Sequence, residues 1–293
     1  MSSFQLTAPD GGNTVLRSVP LIKQGEEDFK PVLCGGHKLI ARGPATHGVS
    51  FLTKYLLMRS YRDASVLFVD WEYSFGHAST NFLAMWNNRV MPFQEIEYGA
   101  VFSEPFVSVG IKWATLPLDL IDDERRIVNF LINLLERIAQ LPPSKNTKVL
   151  ILERFWFAAL GQSVLWESLN YLLKAGCKLG LEIWLLCPVD IYDITRDSDA
   201  LQRLQRSLTH IPNLFLFDQS NLNRRNIRAE EFWQLSSSEY DILTTVGKNL
   251  SPALMPYKEV FFKRHIDSEP LAIVYGIKAT QQKADLLLTF SRQ

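Results

Sequence analysis

Residues Gly43-Pro44-Ala45-Thr46-His47-Gly48-Val49-Ser50 carry the two glycines and the terminal hydroxyl of the phosphate-binding pattern G-x-x-x-x-G-K-[ST], with valine where the pattern has lysine. In a working loop of this kind backbone N–H groups close around the phosphates, the lysine neutralises the β and γ oxygens, and the hydroxyl holds Mg²⁺. Val49 supplies neither a cation nor a hydrogen bond. Two acids stand further along, each at the end of an apolar run: Asp70 after Ser65 to Val69, and Glu153 after Lys148 to Leu152. Carboxylates so placed are what a metal-phosphate site draws on. Glu153 is followed by Arg154, a permanent cation that cannot serve as a general base.

The elements that must position these residues follow from pattern. His37 to Ala41 reads as a short strand leading to the glycine loop, Ser50 to Arg62 as a helix with Phe51, Tyr55 and Met58 at helical spacing, and Ser65 to Asp70 as a buried parallel strand. Together they form a βαβ unit with the loop at its first turn. Asp122 or Asp123 can cap a helix running to Gln140, whose apolar stripe is Ile127, Phe130, Leu131, Leu134, Leu135 and Ile138, and Pro142-Pro143 stops it. Lys148 to Leu152 is a second buried strand, Ser163 to Ala175 a helix with Gly176 just past its end, and Leu181 to Cys187 a strand stopped by Pro188.

Ser198 to Thr209 reads as helix and Asn213 to Phe217 as strand. Ser236-Ser237-Ser238-Glu239 is a capping box, with Leu235 and Tyr240 as its hydrophobic staple, and predicts a helix to Val246 with Gly247 behind it. Lys258 to Arg264, Leu271 to Ile277 and Leu286 to Phe290 read as three strands, the first two an antiparallel hairpin. Residues 1–30 form an N-terminal extension with little regular structure and residues 31–293 one α/β domain. Within it 75–120 reads as an insertion, with a helix closing at Trp86, Asn87 and Asn88 and several proline-broken short strands after it.

Bulk properties narrow the function. The 293 residues carry 31 basic and 31 acidic side chains, so no net charge favours a nucleic-acid surface, and 47% apolar with 21% charged residues fits a globular domain. Seven Trp and 18 Phe leave room for aromatics in a partner interface, although most belong in a core of this size. No apolar run approaches the roughly 20 residues that cross a bilayer, and Met1-Ser2-Ser3-Phe4-Gln5 does not open a signal peptide. Cys34, Cys177 and Cys187 lack metal-ligand spacing and read as buried thiols in a reducing cytoplasm. Arg224, Arg225 and Arg228 read as a solvated face, with an acidic partner as the other reading.

A glycine loop, an acid-ended strand and a second acid-ended apolar strand come in the order of a RecA-like domain, which flavodoxin-like and Rossmann folds do not share. The chain resembles, more narrowly, the conjugation and type IV secretion ATPases. Asp70-Trp71-Glu72-Tyr73 is similar to their Asp-x-x-x-Glu-Tyr segment with one residue fewer between the acids, and Leu150-Ile151-Leu152-Glu153-Arg154-Phe155-Trp156 to their Walker B stretch. Leu235 to Glu239 and Tyr257 to Arg264 resemble the family's C-terminal part, so the likeness covers roughly 35–277. It implies a RecA-like P-loop fold: a mostly parallel sheet flanked by helices, with antiparallel C-terminal strands.

Carried over residue by residue, the resemblance puts Glu153 in place of the Walker B aspartate and Arg154 in place of the catalytic glutamate, and Cys187-Pro188 where the family often has a γ-phosphate-sensing glutamine. With Val49, three parts of one ATP site are missing together. The implied protein is a pseudo-ATPase with no catalytic residue, no cofactor and no metal, keeping Gly43, Gly48, Val49 and Ser50 as a vestigial loop and Glu153 and Arg154 as a vestigial Walker B. Its implied role is a scaffold or adaptor for effector translocation in a Dot/Icm-like type IV secretion coupling complex. The expected partners are other coupling-complex proteins, with no nucleic acid. Its expected place is the cytoplasm, touching the inner membrane only through that complex, and a homodimer is compatible with the sequence. Two alternatives stand beside it. One is a divergent ATPase in which Lys54, one turn beyond Ser50, works with Glu72, and His47 or Arg42 adds positive charge; the other is a RecA-like non-catalytic subunit of a DNA-repair or RNA-modification complex.

Overall fold

A computed structural model describes residues 35–41, 48–71, 91–106, 109–187, 198–217, 219, 228–244, 246, 258–264 and 271–277. The apolar runs are strands: β1 (Lys38–Ala41), β2 (Ser65–Asp70), β3 (Phe93–Ile96), β4 (Gly110–Thr115), β5 (Lys148–Glu153), β6 (Leu181–Cys187), β7 (Asn213–Leu216), β8 (Lys258–Arg264) and β9 (Leu271–Ile277). Among the described residues they make one sheet in the order β3-β4-β2-β5-β6-β1-β7-β8-β9. The first seven strands in that order run parallel, β8 is antiparallel to β7, and β9 is antiparallel to β8. The expected hairpin is therefore present, pairing Lys258 with Ile277 at one end and Arg264 with Leu271 at the other. Leu286 to Phe290 lies outside the described residues.

The order separates two fold classes. In flavodoxin-like and Rossmann sheets the strand that carries the phosphate loop lies beside the next strand in sequence. Here β5 and β6 stand between β1 and β2, as in a RecA-like core.

Period-two alternation assigns each residue to a face. Leu39, Leu67, Leu150, Leu152, Ile183 and Leu185 join the core beneath the larger helical layer. That layer holds α3 (Glu124–Ala139), α5 (Ser163–Leu179) and α6 (Ser198–Leu208). Ile40, Val66, Phe68, Ile151 and Trp184 face the other way, in a core shared with Leu52, Leu56 and Leu57 of α1 (Gly48–Ser60). The shorter helices are α2 (Leu118–Ile121), α4 (Phe155–Ala159), α7 (Ala229–Trp233) and α8 (Ser237–Leu243).

Local chemistry explains the boundaries. Asp123 is the N-cap of α3, its Oδ1 accepting from the Arg126 N–H at 3.1 Å, and all six stripe residues of that helix are buried. Helix α5 outruns its expected end at Ala175 and stops at Gly180, which takes φ +64 as the left-handed C-cap. Gly176 lies inside the helix, where the missing Cβ makes room for a neighbour: a Cβ there would lie 2.5 Å from His37 Cε1. The capping box of α8 is present in both halves, Ser236 Oγ accepting from the Glu239 N–H and Glu239 accepting from the Ser236 N–H. The helix closes at Leu243 rather than Val246.

Part of the 75–120 segment extends the main sheet: β4 pairs with β2 along its whole length, Ser65 opposite Gly110 to Asp70 opposite Thr115, and β3 adds the edge. The helix expected to close at Asn88 lies outside the described residues. One thiol is corrected: Cys177 is exposed, because it falls on the outer side of the last turn of a helix longer than expected. Cys187 is buried in β6, and burial raises its pKa well above the ordinary value. Cys34 lies outside the described residues.

Candidate functional site

The loop residues through His47 lie outside the described residues, as do Arg42, Glu72, Arg224 and Arg225. Gly48 is the first residue of α1, two residues earlier than expected, and Ser50 sits in its first turn. Val49 is 4% exposed and belongs to the core between α1 and the sheet. A side chain meant for phosphate oxygens at the helix mouth has to point out of that core. Val49 points into it, and its carbonyl accepts from Thr53 Oγ1 at 2.8 Å.

Register places the acids relative to this helix. Glu153 is opposite Leu186, and Leu186 is opposite Ile40, so Glu153 sits level with the end of β1 and two strands away, about 10 Å at ordinary strand spacing. Val69 is opposite Leu152, which brings Asp70 level with Glu153 on the next strand. The two acids alternate in step with Phe68 and Ile151, and so face α1. The predicted trio of helix mouth and two strand-end acids therefore does meet at the C-terminal edge of the parallel strands, the edge where α/β sheets bind ligands.

Each acid is engaged inside the protein. Asp70 is fully buried and accepts from Trp113 Nε1 at 2.9 Å. Glu153 is 3% exposed and accepts from the Trp71 N–H at 3.1 Å, so it ties off the chain leaving β2. Lys54 is buried beneath α1, and this burial pushes its pKa well below the ordinary 10.5, with the Asp70 charge acting in the opposite sense.

Arg154 is half-buried and adopts φ +50, a left-handed conformation uncommon for a residue with a Cβ. Its N–H donates to the Leu186 carbonyl at 3.1 Å, extending the β5 to β6 ladder by one step before the chain turns into α4. No glycine or asparagine marks that turn, so the sequence carries no signal for it. Arg228 is exposed and bonds to Glu230 and Glu231, as a solvated cation does.

Sequence reasoning also missed a polar cluster at the opposite end of β1. Lys38 is fully buried, 3.0 Å from Glu182 Oε2, with its ammonium 4.9 Å and 4.8 Å from the Tyr61 and Trp184 ring centroids. The Tyr61 hydroxyl donates to the same carboxylate oxygen at 2.7 Å. The available signal was register: Lys38 pairs directly with Trp184, two residues from Glu182 on the same face. This cluster ties the chain leaving α1 and the start of β6 to the start of β1, far from the loop end.

Comparison with known proteins finds likeness in structure alone; no protein-family model and no curated protein matches the chain. Among solved structures, the cytoplasmic domain of the type VII secretion ATPase EccC from Thermomonospora curvata is similar over 84% of this chain and 25% of its own, at 13% identity and TM-score 0.41. ATPases 2 and 3 of the same EccC with a signal sequence peptide are similar over 72% and 36%, at 13% identity and TM-score 0.37. The bacterial conjugative coupling protein TrwB, in an unbound form, is similar over 61% and 35%, at 14% identity and TM-score 0.31. The chain thus spans between 25% and 36% of the length of these proteins. The strand order carries the fold class without them.

Proposed function

We propose that this chain is a catalytically inactive RecA-like subunit that works as a scaffold or adaptor, within a type IV secretion coupling complex of the Dot/Icm kind. The observation that carries the loss of catalysis is Val49: the residue in the lysine position is packed into the core under α1. Phosphoryl transfer depends on placed charges; the loss of one could be compensated, but Val49, Arg154 and Cys187-Pro188 stand where three parts of the site would be, and three losses together read as abandonment of catalysis. The neighbouring acids support the same reading, since Asp70 serves an indole and Glu153 a backbone N–H. The secretion setting rests on the motif resemblance of Asp70 to Tyr73 and of Leu150 to Trp156. A fold that no longer turns over nucleotide still offers rigid helices and sheet edges for docking.

Isothermal titration with ATP and Mg²⁺, joined to a phosphate-release assay, tests the loss of catalysis, with no heat of binding and no release expected. Micromolar binding with turnover abolished by Ser50→Ala overturns it. Isolation of native complexes tests the setting: secretion subunits are expected to copurify, and recovery of the chain as a lone monomer counts against it.

A further inference from the structure

Gly35 and Gly36, just before β1, both take left-handed backbone conformations, φ +79 and +87, that a residue with a Cβ rarely adopts. The turn they make is held in place. The Gly35 carbonyl accepts from Asn213 Nδ2 at 2.9 Å, a Cβ on Gly36 would lie 2.9 Å from Pro212 Cγ, and His37 packs against Gly176 in the last turn of α5. Residues 1–34 therefore join the domain between the end of α5 and the His210 to Pro212 segment that follows α6.

Bases surround that junction. Lys174 and Lys178 stand one turn apart near the end of α5, both exposed. Ser207 Oγ donates to Asn170 Oδ1 at 2.8 Å and brings α6 against α5, so the exposed Arg206 and, one turn on, His210 come alongside. Burial and then the Lys174 charge lower the His210 pKa, as a close approach of the two requires. Lys145 adds the flank, in the loop whose Ser144 carbonyl lies against Gly180. None of Lys145, Lys174, Lys178 and Arg206 is in an ion pair among the described residues. The acids of this region are engaged or stand apart. Glu182 holds Lys38 and the Tyr61 hydroxyl, and Glu231, whose carbonyl accepts from Gln205, pairs with Arg228. Glu136 and Glu167 lie higher on α3 and α5, beside Tyr171, and Asp63 follows α1. Helix dipoles draw bases to such ends, but four cations from three elements leave a surface that favours an anion upon it.

We propose that the acidic run Glu26-Glu27-Asp28, in this chain's own N-terminal extension, docks on the belt of Lys145, Lys174, Lys178 and Arg206 and covers it. Place and charge choose this occupant. Six residues separate Asp28 from Gly35, so the run reaches at most about 25 Å from the junction. Even Lys145, at the foot of β5, is only two strands or about 10 Å across from β1. Three consecutive acids meet the belt, and Lys23 and Lys30 on either side of the run are left outside the contact. The similar run Asp122-Asp123-Glu124 is fixed at the start of α3, the opposite end of the helical layer. Tethering gives the run an effective concentration on the order of mM, so an acidic partner that needs this surface has to displace it first. The belt lies at the edge of the sheet opposite Asp70 and Glu153, and the proposal does not depend on what the loop at Gly43 to Ser50 has kept.

The test uses the full chain in two measurements. A carbodiimide, which links carboxylates to amines in direct contact, is expected to join Glu26, Glu27 or Asp28 to Lys174 or Lys178, read by mass spectrometry. In a mixture of isotopically labelled and unlabelled chains these cross-links are expected within one chain only. A fluorescent peptide of residues 21–33 then reports the open belt by anisotropy. It is expected to bind the triple variant Glu26→Gln, Glu27→Gln, Asp28→Asn at least tenfold more tightly than the parent, and Lys174→Glu with Lys178→Glu, added to that variant, to abolish the gain. Absence of the cross-links, or equal binding of the peptide to parent and triple variant, overturns the proposal. Isotopically mixed cross-links also overturn it, since a second copy of the chain would then be the occupant. A gain that survives the two lysine substitutions does the same, because the peptide would then sit elsewhere. Lys174 and Lys178 are exposed, so folding is kept and is verified by circular dichroism.

Discussion

His37 is held neutral by two backbone contacts that a protonated ring could not keep together. Its Nδ1 accepts from the Ile183 N–H at 2.9 Å, so the proton sits on Nε2, which donates to the Leu173 carbonyl at 2.9 Å. Burial lowers its pKa from 6.5 to about 4, against a smaller opposing pull from the Leu173 bond. The unfolded chain takes up this proton below 6.5 and the folded chain does not until about 4, so the stabilisation is complete above 6.5 and is lost as the pH falls through that window. Over the whole window the effect is on the order of 3 kcal/mol. His210, also lowered by burial and then by Lys174, acts in the same sense. Urea unfolding at pH 7 and pH 5 should show a steeper loss of stability in the parent than in His37→Gln, by about 2 kcal/mol; equal losses would rule out the histidine as the source. The same ring sets the sign of a second change. Ala in place of a helical Gly ordinarily stabilises by about 1 kcal/mol, but a Cβ on Gly176 would sit 2.5 Å from His37 Cε1 and 2.7 Å from the Leu181 carbonyl oxygen. Gly176→Ala is therefore expected to cost about 1–3 kcal/mol in denaturant unfolding, and a gain in stability would contradict this packing.

Helix α8 and strand β8 are joined by charge. Glu239 caps its own helix and also lies 2.8 Å from Lys263 Nζ, both side chains being nearly inaccessible, and the same ammonium donates to the Gln234 carbonyl at 3.0 Å. Removing one partner of such a pair leaves a buried charge unmatched, so Lys263→Met is expected to cost about 3–5 kcal/mol and to exceed the cost of Ser236→Ala, about 1 kcal/mol. Thermal or urea unfolding of the two variants checks the ranking. The capping half of this device was legible in Ser236 to Glu239, where spacing along one chain is enough. The ion pair was not, because it depends on β8 lying against α8, a contact between residues 24 apart. The same division holds elsewhere. β2, β6 and the β8–β9 hairpin could be read to the residue, since apolar runs bounded by polar or breaking residues leave little choice of limits. The end of α5 could not: Gly176 and Gly180 can each stop a helix, and the ring of His37, far away in the chain, occupies the space that explains the first glycine without a stop. At the candidate site the order of loop, Asp70 and Glu153 was legible, whereas the tasks those acids perform, holding Trp113 and the Trp71 N–H, depend on tertiary neighbours.

At the scale of the molecule the loop helix is a structural pillar. α1 supplies Val49, Leu52, Tyr55, Leu56 and Leu57 to the core on its face of the sheet, against Ile40, Phe68, Ile151 and Trp184, so the start of the helix is bound into packing. Restoring the phosphate-binding pattern by Val49→Lys consequently sets two effects against each other. If the vestigial loop still cradles phosphate, the new ammonium can turn outward, and a nucleotide with a dissociation constant of about 10 μM would add about 2.7 kcal/mol of stability at about 1 mM. If the loop now serves only to join strand to helix, the lysine must either enter the core or drag the first turn out of it, a loss of about 2–4 kcal/mol. The burial of Val49 at 4% exposure favours the second outcome. Val49→Lys is expected to melt below the parent with or without Mg²⁺ and ATP; a melting temperature restored by nucleotide would show instead that the cradle survives and only its charge was lost.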